Sequence, residues 1–265
     1  MKRLVLLLTM PLYVFVVSAQ VPFKVITVNG EIIATKANVT LQNGIEVSSD
    51  DNFDFRKPNS RAAMINSERG RIVLTEQNAS DAFSKAAFAP PISSISSRSA
   101  TLSNIADLKN TFDDKVLIIE SMKLKVGADE FPMEDNKFFY IRYTYNDETV
   151  NKKLTFVNDT LIIDKDELFS VDGKAIDNSG VSQVSLYYYR KGEQKPESIL
   201  INTFEPVFVN SQQLKPEIDI IYKELKGKSS EMLLSEIYDY LNMFYGKIDK
   251  EDLKVWLKKE YKSDF

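Results

Sequence analysis

From Val21 to about Leu74 apolar and polar residues alternate and turn-forming residues recur at short intervals, the period-two signature of half-buried strands. Lys24 to Val28 and Glu31 to Thr35 flank Asn29-Gly30, a pair that accepts the positive φ angles of a type I′ turn, so a hairpin is expected there. Asn43-Gly44, between Val39 to Leu41 and Ile45 to Val47, repeats the signal. Phe53 and Phe55 form another alternating pair, and Arg61 to Ile65 and Arg71 to Leu74 bracket a turn at Ser67 to Gly70. About five to seven such strands predict a small β sandwich or barrel over residues 20–75.

The pattern breaks at Glu76. Residues 76–101 are rich in Ser and Ala, carry Pro90-Pro91 at their centre and read as a linker, closed by a short helix with Leu102, Ile105, Leu108 and Phe112 on one face. Strand signals resume at Val116 to Met122, Leu124 to Val126, Phe138 to Tyr145, Lys153 to Val157 and Leu161 to Asp164, with Asn158-Asp159 as a tight turn. Val184 to Arg190, Ser198 to Asn202 and Pro206 to Val209 complete a second β domain over 102–210. The links are too short for parallel crossovers, so antiparallel pairing is expected throughout.

The period then lengthens to that of a helix. Ile218, Ile221, Tyr222 and Leu225 share one face, as do Leu234, Ile237, Leu241 and Phe244, and then Leu253, Trp256 and Leu257. Ser229 or Ser230 can cap the second helix and Gly246 can end it, while Asp249 caps the third and Ile248 with Leu253 forms a hydrophobic staple. The expected fold is therefore mainly β: two small antiparallel β units with a C-terminal three-helix segment over 211–265.

Gly30-Glu31-Ile32, Leu41 followed by Gly44-Ile45, Ser60 with Ala62 and Met64, and Gly70 before Ile72 and Leu74 occur in an order that resembles the periplasmic β domain of FecR-like proteins. The resemblance covers about Phe23 to Leu74 and implies a small β fold. Arg69-Gly70-Arg71 replaces the acidic-glycine turn usual in that family, and the preceding residues carry neither an anti-sigma helix nor a membrane span. The whole chain also resembles uncharacterised exported bacterial proteins.

Composition adds an address. Lys2 and Arg3 precede an apolar run from Leu4 to Val17, and Val17-Ser18-Ala19 offers the small residues of a cleavage site, so residues 1–19 read as a signal peptide. The run is too short for a bilayer span and Pro11 interrupts it. Losing Lys2 and Arg3 leaves 32 basic residues against 38 acidic ones, a net charge of −6. Such a surface does not favour nucleic acid. With no cysteine, the chain fits a bacterial periplasm or cell surface better than an oxidising eukaryotic pathway, and the sequons at Asn38, Asn78 and Asn158 read as background.

Absent residue types also narrow the chemistry. Zero histidines and zero cysteines remove Ser-His-Asp and Cys-His catalytic units, common zinc sites, and haem or iron–sulfur ligation, and no cofactor is expected. Two acidic clusters remain: Asp50, Asp51 and Asp54, and Asp164, Asp166 and Glu167 followed by Asp172 and Asp177. Neither has EF-hand spacing, and both read as solvated turns. Arg61, Arg69 and Arg71 surround one predicted hairpin and offer an anion or partner patch, against the plainer role of charged strand edge. Phe138, Phe139 and Tyr140 with Tyr187, Tyr188 and Tyr189 can line a sugar or peptide platform, although the inward half of each run should be core. Trp256, beside Lys254, Lys258 and Lys259, marks a helix docked on the β core or on a partner. The sequence thus reads as an exported, non-enzymatic binding or assembly module of a bacterial envelope with a protein partner. The alternatives are a carboxylate-based carbohydrate-active enzyme and a FecR-like sensory domain.

Overall fold

The computed structural model describes residues 22–91, 101–192 and 195–262, so the expected signal segment and the latter part of the Ser/Ala stretch lie outside the described residues. The first unit contains β1 (Phe23–Asn29), β2 (Ile32–Ala34), β3 (Val39–Thr40), β4 (Glu46–Val47), β5 (Phe53–Phe55), β6 (Arg61–Asn66) and β7 (Gly70–Thr75). They form two open sheets, ordered β4-β1-β6-β7 and β3-β2-β5, with Phe23, Ile32, Leu41, Met64 and Leu74 among the residues packed between them. Neither closes into a barrel.

Gly30 and Gly44 take positive φ angles but Asn29 and Asn43 do not, so neither pair forms the expected type I′ turn, and the pairing differs as well. Instead of folding back on β1, the chain at Asn29-Gly30 crosses to the other sheet, where β2 pairs with β3 and β5. Gly30 has φ +90°, and a Cβ there would fall 2.9 Å from the Cα of Ser60, so both the angle and the close approach demand glycine. Asn43-Gly44 likewise separates strands of different sheets, since β4 pairs with β1. The turn at Ser67 to Gly70 does close the expected hairpin between β6 and β7.

Residues 76–91 are not a bare linker. A short 3₁₀ turn at Ala82–Lys85 places Ala82 and Phe83 in the first core, Phe83 edge-on to Phe23 and stacked on Phe53, and Ala87 pairs with Arg71. Two aromatic partners outweigh the polar composition of the surrounding segment.

The second unit opens with α1 (Ile105–Thr111), capped by the Asn104 side chain, and continues through β8 (Asp114–Ile119), β9 (Ser121–Lys125), β10 (Lys137–Tyr145), β11 (Glu148–Lys153), β12 (Thr155–Val157) and β13 (Thr160–Asp164). After α2 (Lys165–Leu168) come β14 (Ser170–Val171), β15 (Lys174–Ala175), β16 (Val184–Lys191) and β17 (Pro196–Val209). The main sheet has the order β11-β10-β16-β17-β8. Asn158, at φ 54°, makes the expected turn between β12 and β13; Asn146 and Asp147, both at positive φ, make the β10–β11 hairpin.

Among the pairings of named strands, one departs from the antiparallel rule. Ser198 to Asn202 and Pro206 to Val209 belong to a single long strand, whose last residues run parallel to β8 from Phe204↔Asp114 to Val209↔Ile119. The crossover between them contains most of the second unit, a non-local route that short links do not announce.

The helices α3 (Ser211–Glu224), α4 (Ser230–Phe244) and α5 (Lys250–Tyr261) start where expected or one signal earlier. Asn210 and Gln213 form a capping box for α3, Ser229 caps α4, and Asp249 accepts the backbone N–H groups of Glu251 and Asp252 at α5. Their apolar faces join one core with Ile26, Ala63 and Ile65 from the first unit and Leu117 from the second. The helices are therefore a layer shared by both β units, and their stripes are not left open for a partner. Trp256 is 6% exposed and its indole N–H donates to Ser211 Oγ at 2.8 Å. Trp256→Ala is expected to lower stability by about 3–5 kcal/mol in urea titration, and the native emission maximum should be blue-shifted and poorly quenched by acrylamide. A free-tryptophan-like maximum would contradict the packing.

Candidate functional site

Of the three arginines expected to form a patch, Arg71 is buried, Arg61 half-buried and Arg69 exposed, and each makes contacts within the chain. Arg61 donates to the carbonyl of Phe244 at 2.6 Å and lies over the Phe244 ring, and Arg69 donates to the carbonyl of Phe83 and lies over Phe23. Arg71 is 7% exposed, ion-paired to Glu236 at 3.6 Å and to Asp239 on α4. Arg61 and Arg71 thus tie the β6–β7 hairpin to the helical layer. Burial raises the Glu236 carboxyl above the ordinary range, against the backbone N–H of Ala89 and the nearby Arg71.

The acidic clusters serve turns. Asp51 accepts backbone N–H groups of Lys36, Ala37 and Asn52, Asp50 pairs with Lys36, and Asp54 pairs with Arg56 at 2.7 Å. Asp164 caps α2, and Asp177 accepts the N–H of Ser179. No group of three or more acidic side chains able to hold a metal ion occurs among the described residues.

Two polar features had no advance notice. Glu217 on α3 is 6% exposed and accepts hydroxyl bonds from Thr27 at 2.8 Å, Tyr240 at 2.5 Å and Tyr245 at 2.8 Å. Burial, then the adjacent Glu217, push both phenols far above their ordinary range. Thr27, Glu217 and Tyr240 are buried and Tyr245 is half-buried, and the cluster is a tie between β1, α3 and α4. Its signal was legible, because Glu217 sits between Leu214 and Ile221 at helical spacing and so on the apolar face. The second feature is a groove of about 200 Å³ between α5 and the β8–β9 corner, lined by Ile119, Met122, Asp249, Asp252, Val255 and Trp256. Asp252 accepts the backbone N–H of Lys123 at 3.1 Å, yet burial chiefly, with Asp249 adding to it, pushes its carboxyl up to about 7. As an ordinary first-turn acid, Asp252 carries no mark of this in sequence.

The aromatic runs resolve by strand parity. Phe139 and Tyr188 enter the core, whereas Phe138, Tyr140, Tyr187 and Tyr189 lie on the opposite face of the main sheet, where Tyr140 is buried at 7% exposure and the other three rings are half-buried. They stand in cofacial pairs: Tyr140 and Tyr187 at 5.0 Å and 9°, and Phe138 and Tyr189 at 4.8 Å and 29°. Two cations hold to them, Arg142 4.8 Å from the Tyr187 centroid and Lys153 4.6 Å from that of Phe138. Leu200, 47% exposed, lies opposite Tyr187 on β17. The helices cover this face only at its other end, where Leu117, Ile119, Val207 and Val209 join the shared core. The open half is a rigid surface of Tyr, Arg and aliphatic character, the composition that anchors protein interfaces.

No family model, curated protein or solved structure matches the chain.

Asp252 gives a pH signature. Its folded pKa lies above the unfolded value near 3.9, so the native state holds more protons between the two and stability falls as pH rises from about 4 to about 7. Asp252→Asn keeps the acceptor for Lys123 and removes the charge. Urea midpoints should then decline less over that interval than in the parent, with the variant the more stable at pH 8; parallel curves would rule out the raised carboxyl.

Proposed function

We propose that the protein is an exported, non-enzymatic binding module of a bacterial envelope, engaging a protein partner through the open half of the main sheet. The observation that carries the reading is the row of Phe138, Tyr140, Tyr187 and Tyr189, clasped by Arg142 and Lys153 and flanked by exposed Leu200. Fixed aromatic anchors lose little entropy on binding. Export is supported by the basic head and apolar run of residues 1–19. A protein fits this face better than a sugar, because each ring of a cofacial pair gives one flat side to its neighbour and Arg142 and Lys153 lie over the Tyr187 and Phe138 rings, which leaves less ring face for a sugar to stack on.

One observation favours a second reading. A groove carboxyl titrating near neutral pH, such as Asp252, is what a glycosidic general acid requires. The neighbouring Asp249 is engaged as the cap of α5, which weakens its claim to be the second catalytic carboxylate.

A photo-crosslinking residue at Leu200 should give one discrete adduct in the native envelope. That adduct should vanish when Tyr187→Ala is added. The same label at Val171, exposed on the β14–β15 hairpin, should give none. The reading fails if both labels give the same products, or neither gives any.

A further inference from the structure

The open half of the main sheet has a charge pattern unlike that of the molecule. Strand register assigns its outward positions to Thr144, Arg142, Tyr140 and Phe138 on β10, Thr149, Asn151 and Lys153 on β11, Ser185, Tyr187, Tyr189 and Lys191 on β16, and Ser198, Leu200 and Thr203 on β17. These positions hold Arg142, Lys153 and Lys191 and not one carboxylate, in a chain whose net charge is −4. Further along β17, Glu205 is on the same face but pairs with Lys115 at 3.0 Å. None of the three cations has a carboxylate partner among the described residues, whereas Arg61 and Arg71 make contacts with the helical layer.

Arg142 is also held ready. Its Nε donates to Asn151 Oδ1 at 2.8 Å and its Nη2 to the Tyr140 hydroxyl at 3.4 Å, and Nη1 has no hydrogen-bond partner among the described residues. The guanidinium is thereby fixed against two rings with one end of its fork directed to no internal acceptor. An oriented fork binds carboxylate with less loss of freedom than a loose side chain does.

Building on the reading of this face as the binding surface, we infer that the partner presents an acidic peptide segment, its carboxylates meeting Arg142, Lys153 and Lys191 and its apolar side chains meeting Tyr187, Tyr189 and Leu200. Charge complementarity fixes the sign of the partner, and the cofacial rings favour a peptide over an anionic sugar polymer. Because the cations lie at the surface, the association weakens as salt rises.

The test uses the mature protein and a fluorescent oligoglutamate peptide, with oligolysine and polygalacturonate as comparison probes. Anisotropy should show binding of oligoglutamate at low salt, little binding of oligolysine, and a loss of roughly tenfold or more in affinity in the Lys153→Gln, Lys191→Gln double variant. Arg142→Gln should reduce affinity similarly, with melting curves confirming that each variant is folded. Equal binding by the double variant, no binding of oligoglutamate, or preference for polygalacturonate overturns the acidic-peptide inference. In those cases an adduct formed through Leu200 in the envelope still leaves the face as a binding surface of other chemistry, and the absence of both defeats the two readings together.

Discussion

One helical layer has to serve two sheets, and most of the structure follows from that. A helix packed on one side needs an apolar stripe, whereas one packed on two sides must bury more of its circumference. α4 shows the second case: Leu233, Leu234, Ser235, Glu236, Ile237, Tyr240, Leu241 and Phe244 are all buried. So wide a face inevitably takes polar groups inside, and each needs a partner. Glu217 finds three hydroxyl donors, from Thr27, Tyr240 and Tyr245. Glu236 accepts the N–H of Ala89 and faces Arg71 at ion-pair distance, 3.6 Å, with Arg71 Nε and Glu236 Oε2 short of a hydrogen bond, and the Phe244 carbonyl at the end of α4 receives Arg61. These contacts join β1, β6 and β7 to α3 and α4 in fixed register. Losing one partner would leave the other buried and unsatisfied, which costs far more than the pair itself contributes.

The same layer explains why the main sheet has an open region. Its inner face packs on the second core, and its outer face meets the helices only along β8 and the end of β17. β17 changes surroundings along its length. Leu200 faces outward beside Tyr187, then the register shifts at a bulge, Ile201 enters the core, and Val207 and Val209 lie under the helices. A partly exposed aromatic row would invite unspecific association if its rings were loose and flat. Here the rings close on one another and on two cations, so the surface is both stiff and charged.

Legibility in the sequence divides along the distance over which information acts. Asp249, Ser229 and the hairpin at Ser67 to Gly70 were readable because a cap or a tight turn is decided by residues within a few positions. Gly30 does take a positive φ, but a positive φ does not specify which strands pair afterwards. That choice rests on Ser60 approaching Gly30 from a distant strand end. The parallel contact of β8 with β17 is likewise set by what lies between them. Phe83 shows a third limit: one large ring with two partners anchors a segment whose average composition denotes a loop.

For the outward aromatic face of the main sheet, alternation along Phe138 to Tyr140 and Tyr187 to Tyr189 was enough to say that half of the rings face outward. What it left open was their use. Arginine identity alone pointed to Arg61, Arg69 and Arg71, near a glycine turn, and the structure commits all three to internal contacts. The distinction between those residues and Arg142 is one of partners and not of residue type. An arginine whose guanidinium meets a carboxylate or a helix-end carbonyl holds the fold together, and changing it is felt first in stability. An arginine fixed by rings and an amide, with its charge unanswered in an acidic protein, keeps its electrostatic capacity for something outside the chain.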